Sequence, residues 1–154
     1  MPLIGTLIAL QKTGGVYPQR DSEMVAWPNP SESPVPSVLI ADDNDTWRDA
    51  VGDVLAREGF RTLAATCGEE AIELVRHERL DVVLIDFHMP RLDGIQTLRI
   101  IRREQYWLPA VLMTAHPDDL PAAEVRALRV ETVLEKPADR QVIVRTVMRV
   151  VRPW

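Results

Sequence analysis

A chain of 154 residues, 46% hydrophobic and 27% charged, carries enough apolar material for one globular domain with a real core and has no comfortable room for a second. Its formal net charge of -5 argues against a surface that neutralises nucleic-acid phosphates or anionic lipid by bulk attraction, so neither direct nucleic-acid binding nor membrane association is expected. The single cysteine, Cys67, cannot form an internal disulfide, and the cytoplasm is the expected compartment.

In chain order, Met1 to Leu10 is apolar but far shorter than the ~20 residues of a membrane-spanning helix, and it lacks the basic flank of a signal peptide. Six of the twelve prolines and three of the seven glycines fall within the first 36 residues. Residues 1–36 therefore read as a flexible extension, with Gln11 to Pro36 irregular, and residues 37–154 as the folded domain.

From Ser37 onward, short apolar runs alternate with segments of helical period. Val38 to Ala41 reads as a buried strand. A helix follows, capped at Asn44 or Asp45, with Trp47, Ala50, Val51, Val54 and Leu55 on its inner face and Gly59 where it stops. Phe60 to Ala65 is a weaker strand, and Glu69 to His77 a helix. Val82 to Ile85 is a third strand, and Pro90 and Gly94 punctuate the loop before a helix over Gly94 to Arg103. Ala110 to Met113 is a fourth strand, Leu120 to Leu128 a helix, Thr132 to Leu134 a fifth strand and Asp139 to Val151 a last helix. Five alternating units imply a doubly wound α/β sandwich, whose ligands bind beyond the carboxyl ends of its strands.

Those ends hold the chemistry. Asp42 and Asp43 follow the first strand, Asp86 the third, Thr114 the fourth and Lys136 the fifth. Asp42 and Asp43 alone could simply cap the next helix. Facing Asp86, however, the three carboxylates would repel one another unless a cation sat among them, and an oxygen-only set favours Mg²⁺. Lys136 and the Thr114 hydroxyl would offer a point charge and a hydrogen-bond donor to a phosphoryl oxygen. Only two of the 18 basic residues are lysines, Lys12 and Lys136, which suggests that a compact ammonium is required where arginine would not fit.

The acidic pair Asp42-Asp43, the run Asp86-Phe87-His88-Met89-Pro90-Arg91-Leu92-Asp93-Gly94, Thr114-Ala115 and Lys136-Pro137 together resemble the response-regulator receiver family over about Ser37 to Val151. The resemblance implies a flavodoxin-like parallel sheet of five strands in the order 2-1-3-4-5 with five helices. It implies that Asp86 accepts a phosphoryl group from a histidine kinase or a histidine phosphotransfer protein, and that the domain then switches its binding to a downstream protein. Asp43, Asp86 and the backbone carbonyl of His88 would hold Mg²⁺, with Asp42 acting largely through water; Thr114 would swing toward the phosphoryl group and Lys136 would contact it. Such a protein is a switch that catalyses only its own phosphorylation and dephosphorylation.

Three features depart from the family pattern. Val133 stands where receivers usually carry an aromatic readout residue, Arg129-Val130 replaces a common Gly-Ala, and Pro117 and Pro121 crowd the start of the fourth helix. The end of the chain at Trp154 suggests a stand-alone, chemotaxis-type receiver, with Arg140, Arg145 and Arg149 on or near the family's usual contact face. Two other readings remain open: an interaction module that phosphate does not switch, for which Val133 is the best argument, and a Mg²⁺-dependent phosphatase with an aspartyl-phosphate intermediate. The latter enzymes place a second acid two residues after the nucleophile, where this chain has His88.

Overall fold

The computed structural model describes residues 16–18, 24–26 and 34–151. The chain divides into two compact units, Met1–Pro34 and Val35–Trp154. In the first, Val16–Pro18 pairs antiparallel with Met24–Ala26, Val16 opposite Ala26. This corrects the expectation of an irregular stretch from Gln11 to Pro36: Val16, Tyr17 and Val25 are residues that suit a pleated ribbon, and Pro18 ends its strand. The apolar Met1 to Leu10 lies outside the described residues.

In the second unit, β1 (Ser37–Ala41), β2 (Arg61–Ala65), β3 (Val82–Asp86), β4 (Ala110–Thr114) and β5 (Thr132–Glu135) form one parallel sheet in the order β2-β1-β3-β4-β5. Between and after them run α1 (Asp45–Arg57), α2 (Gly68–His77), α3 (Gly94–Glu104), α4 (Ala122–Ala127) and α5 (Arg140–Val151). This is the expected 2-1-3-4-5 flavodoxin-like sandwich. Because side chains alternate across a strand, Val38, Ile40, Leu84 and Met113 pack with Val51 and Leu55 of α1 and Ile143 and Val147 of α5. Leu39, Val83, Ile85 and Leu112 pack on the opposite face with Ile72 and Val75 of α2 and Leu98 and Ile101 of α3. With both faces covered, β1, β3 and β4 are buried along their whole length, which is why they read as unbroken apolar runs.

Local chemistry sets the boundaries. Asn44 rather than Asp45 caps α1, its side-chain oxygen accepting the Trp47 N–H at 3.0 Å. Gly59, at φ +91°, takes the left-handed conformation that lets the chain turn out of α1. The fourth helix is shorter than expected. A 3₁₀ turn over Pro117–Asp119 precedes it and Pro121, which has no N–H to donate and offers no side-chain cap, stands at its entrance, so α4 runs for only six residues. None of those six is buried; Leu120, Val125, Leu128, Val130 and Val133 are half-buried against the core that α2 and α3 share.

Candidate functional site

The sheet's carboxyl edge gathers the side chains singled out above. Asp42, one residue past β1, is wholly buried; its N–H donates to the Ala65 carbonyl at 3.1 Å and one carboxylate oxygen accepts the Asn44 N–H at 2.9 Å. Asp43, next in the chain, is exposed. Asp86 closes β3 and is buried, held in register by the Phe87 N–H on the Met113 carbonyl at 2.8 Å. Asp42, Asp43 and Asp86 each bring a carboxylate oxygen within 4.8 Å of the others. Lys136 follows β5 with its N–H on the Thr114 carbonyl at 2.8 Å, and its peptide bond to Pro137 is cis. From there Nζ reaches 2.5 Å from Asp42 Oδ2 and 3.4 Å from Asp86 Oδ1.

Gly94 supports this edge from below. A Cβ there would lie 2.5 Å from the Asp86 carbonyl oxygen and 3.0 Å from Phe87 Cα, so α3 can start this close to the acid only with glycine. The following turn is fixed by a reciprocal capping box, Asp93 accepting from Gln96 N–H and the Gln96 side chain from Asp93 N–H.

Not every expected residue faces the acids. Thr114 is buried and its hydroxyl oxygen accepts the His116 N–H at 3.0 Å. The His88 side chain is exposed, edge-on to Phe87 at 4.7 Å between ring centroids and 6.3 Å from the His116 ring. Two neighbours were missed in the sequence. Arg48, nearly buried, donates to the Asp42 carbonyl at 2.8 Å and to Asp45 at 2.6 Å, bracing the acidic loop; an arginine one helical turn beyond an acidic pair was the available signal. Trp47, counted only as an inner-face helix residue, lies with its ring centroid 5.2 Å from Lys136 Nζ.

Burial, followed by the Asp42 charge, pushes the Asp86 carboxyl up to about 6, and Lys136 only partly opposes this. An ionised Asp86 therefore costs the metal-free fold stability. In the unfolded chain the group returns to about 3.8, so between about pH 4 and 6 unfolding releases a proton and stability falls as pH rises. Asp86→Asn keeps the shape without the charge. It is expected to be more stable than the parent by about 1–3 kcal/mol above pH ~6, with the difference vanishing below pH ~4 where the carboxyl is protonated in both states. Urea unfolding in the presence of a chelator measures it, and equal stabilities at neutral pH would refute the assignment of a strained charge.

A doubly wound sheet in this strand order, with three acids and a lysine meeting at its carboxyl edge, defines the class of the flavodoxin-like signalling domains. Within it, the sequence model of the response regulator receiver domain matches residues 38–148, and the chain belongs to that family, the receivers of two-component phosphorelays. It is 33% identical over 118 residues to the transcriptional regulatory protein AfsQ1 of Streptomyces coelicolor, covering 75% of this chain and 52% of that protein. The chain thus spans about half the length of that relative. Over 102 residues it is 32% identical to the sporulation initiation phosphotransferase F of Bacillus subtilis, covering 66% of this chain and 82% of that one. The receiver domain of the sensor histidine kinase PA1611 of Pseudomonas aeruginosa, solved with a magnesium ion in its active-site cleft, shares the fold at a TM-score of 0.70 and 24% identity, over 76% of this chain and 98% of that one. Among the described residues no helix is long and apolar enough to cross a membrane.

Proposed function

We propose that Asp86 accepts a phosphoryl group from a histidine kinase or histidine phosphotransfer protein, and that the modified domain, cytoplasmic and spanning residues 37–154, changes its binding to a downstream protein. The observation that carries this reading is the Asp86 carboxylate itself, within 4.8 Å of the Asp42 and Asp43 oxygens and 3.4 Å from the Lys136 ammonium. Three hard oxygen donors crowded together, one of them with a raised pKa, fit a divalent ion of the Mg²⁺ type. Asp43, Asp86 and the His88 carbonyl would hold it, Asp42 acting through water, and the ion would neutralise charge on the transferring group. The magnesium in the PA1611 receiver supports the same assignment.

In the transfer, an Asp86 oxygen forms the new O–P bond while the N–P bond of the donor phosphohistidine breaks, and the departing imidazole takes up a proton. Lys136 turns from Asp42 toward a phosphoryl oxygen and provides positive charge there. Thr114 releases the His116 N–H and donates its hydroxyl to another phosphoryl oxygen. With Val133 in place of an aromatic rotamer switch, the signal passes through the segment around α4.

Intact mass after incubation with Mg²⁺ and acetyl phosphate or phosphoramidate tests the proposal. The expected result is a gain of one phosphoryl group that Asp86→Asn abolishes. No gain in the parent would favour the reading in which Val133 marks an interaction module that phosphate does not switch. Steady turnover of small phosphate esters would instead favour a phosphatase.

A further inference from the structure

Trp47 sits on the first turn of α1, where the Asn44 cap fixes its backbone. Its ring presents itself to Lys136, with Nζ 5.2 Å from the centroid, inside the range over which an aromatic quadrupole attracts an ammonium. Lys136 has three N–H bonds to place. One lies on Asp42, Asp86 Oδ1 stands 3.4 Å away as a second ion-pair partner, and the indole stands against the remaining part of the ammonium. Lys136 is consequently only 17% exposed. Packing against the core shared by α1 and α5 accounts for the burial of Trp47. It does not account for a ring set beside a cation, nor for a buried indole N–H that finds no hydrogen-bond partner among the described residues. A smaller aliphatic side chain would fill that core position without burying an unpaired donor.

We propose that Trp47 is a positioning residue for Lys136, holding its ammonium by the π face and keeping water from that side. The inference rests on the reading of Asp86 as the phosphoacceptor and assigns Lys136 a partner there. An aromatic ring attracts the ammonium without carrying a formal charge. It therefore limits the lysine's wandering but does not tie it down as another carboxylate would, and the lysine stays free to turn from Asp42 to an arriving phosphoryl oxygen. By excluding solvent it also strengthens the attraction between ammonium and phosphoryl group.

The test uses the full chain with Trp27, Trp107 and Trp154 replaced by phenylalanine, leaving Trp47 as the only indole. Tryptophan bearing progressively more fluorine is then incorporated, which keeps the shape and drains the π face. Phosphorylation by acetyl phosphate should slow stepwise, by roughly 3- to 10-fold across the series, while melting temperature and Mg²⁺ affinity hold. The ¹⁵N shift of the Lys136 ammonium should move in the same order. Trp47→Phe should retain most of the rate and Trp47→Leu should lose it. A rate and an ammonium shift that ignore fluorination, in a protein that is phosphorylated normally, would overturn the proposal and leave the acceptor reading intact. An ammonium shift that follows fluorination in a protein that takes no phosphoryl group would overturn the acceptor reading and, with it, the role assigned to the contact.

Discussion

Asp43→Ala is expected to fold like the parent, to lose Mg²⁺ binding and to be phosphorylated at least roughly 100-fold more slowly, since metal stabilisation of a transferring phosphoryl group is worth several kcal/mol. The three acids are not equivalent. Asp42 is built into the fold through Lys136 and the Asn44 and Arg48 contacts, and Asp86 is the proposed acceptor. Asp43 is exposed and forms no ion pair among the described residues. Its loss breaks no side-chain hydrogen bond or ion pair among the described residues, yet removes a formal charge from the proposed ligand set. Mg²⁺ titration followed by tryptophan fluorescence is a suitable measurement, because Trp47 lies beside Lys136, which pairs with Asp42 and Asp86, and mass spectrometry reports the phosphoryl group. Parental phosphorylation in Asp43→Ala would remove the metal from the proposed function.

Lys136→Arg is the second large effect, and it separates accepting a phosphoryl group from acting on it. The charge is kept, so phosphorylated mass should stay within a few-fold of the parent. The geometry is not kept: Nζ sits among Asp42, Asp86 and the Trp47 ring, and a planar guanidinium spreads its donors over a wider fork than that space admits. The residue's own N–H is fixed to Thr114, so a displaced side chain drags the end of β4 and the loop before α5 with it. The parent should show a phosphorylation-dependent change in amide exchange over Leu120 to Val133 that the variant largely lacks. A variant that changes as fully as the parent would reduce the choice of lysine at this position to an accident of composition.

The strands were legible because a parallel sheet covered on both faces leaves uninterrupted apolar runs, as in Val82 to Ile85, and the site was legible because the strand ends converge whatever the loops do. What escaped notice has a physical cause in each case. The prolines at 117 and 121 were read as crowding the start of the fourth helix, but hydrophobic period does not register how far their missing donors shorten it. The strand pair at 16–18 and 24–26 is too short to show alternation. Trp47 was recognisable as an inner-face residue, but its partner Lys136 lies almost at the other end of the domain, and no local pattern links them.

The brevity of α4 has a consequence in time. It buries no residue of its own, and α3 holds it through the exposed Arg99–Glu124 ion pair and through Arg102, which donates to the Leu128 carbonyl at 2.7 Å. An exposed ion pair is worth little, and segments with few buried apolar contacts open at low free-energy cost. Such a segment is expected to exchange between arrangements on the microsecond-to-millisecond scale, faster than the buried strands open. A phosphoryl group on Asp86 would then be read downstream as a change in dwell time, in how long α4 rests in each arrangement, with no need for any side chain to be thrown from one pocket to another.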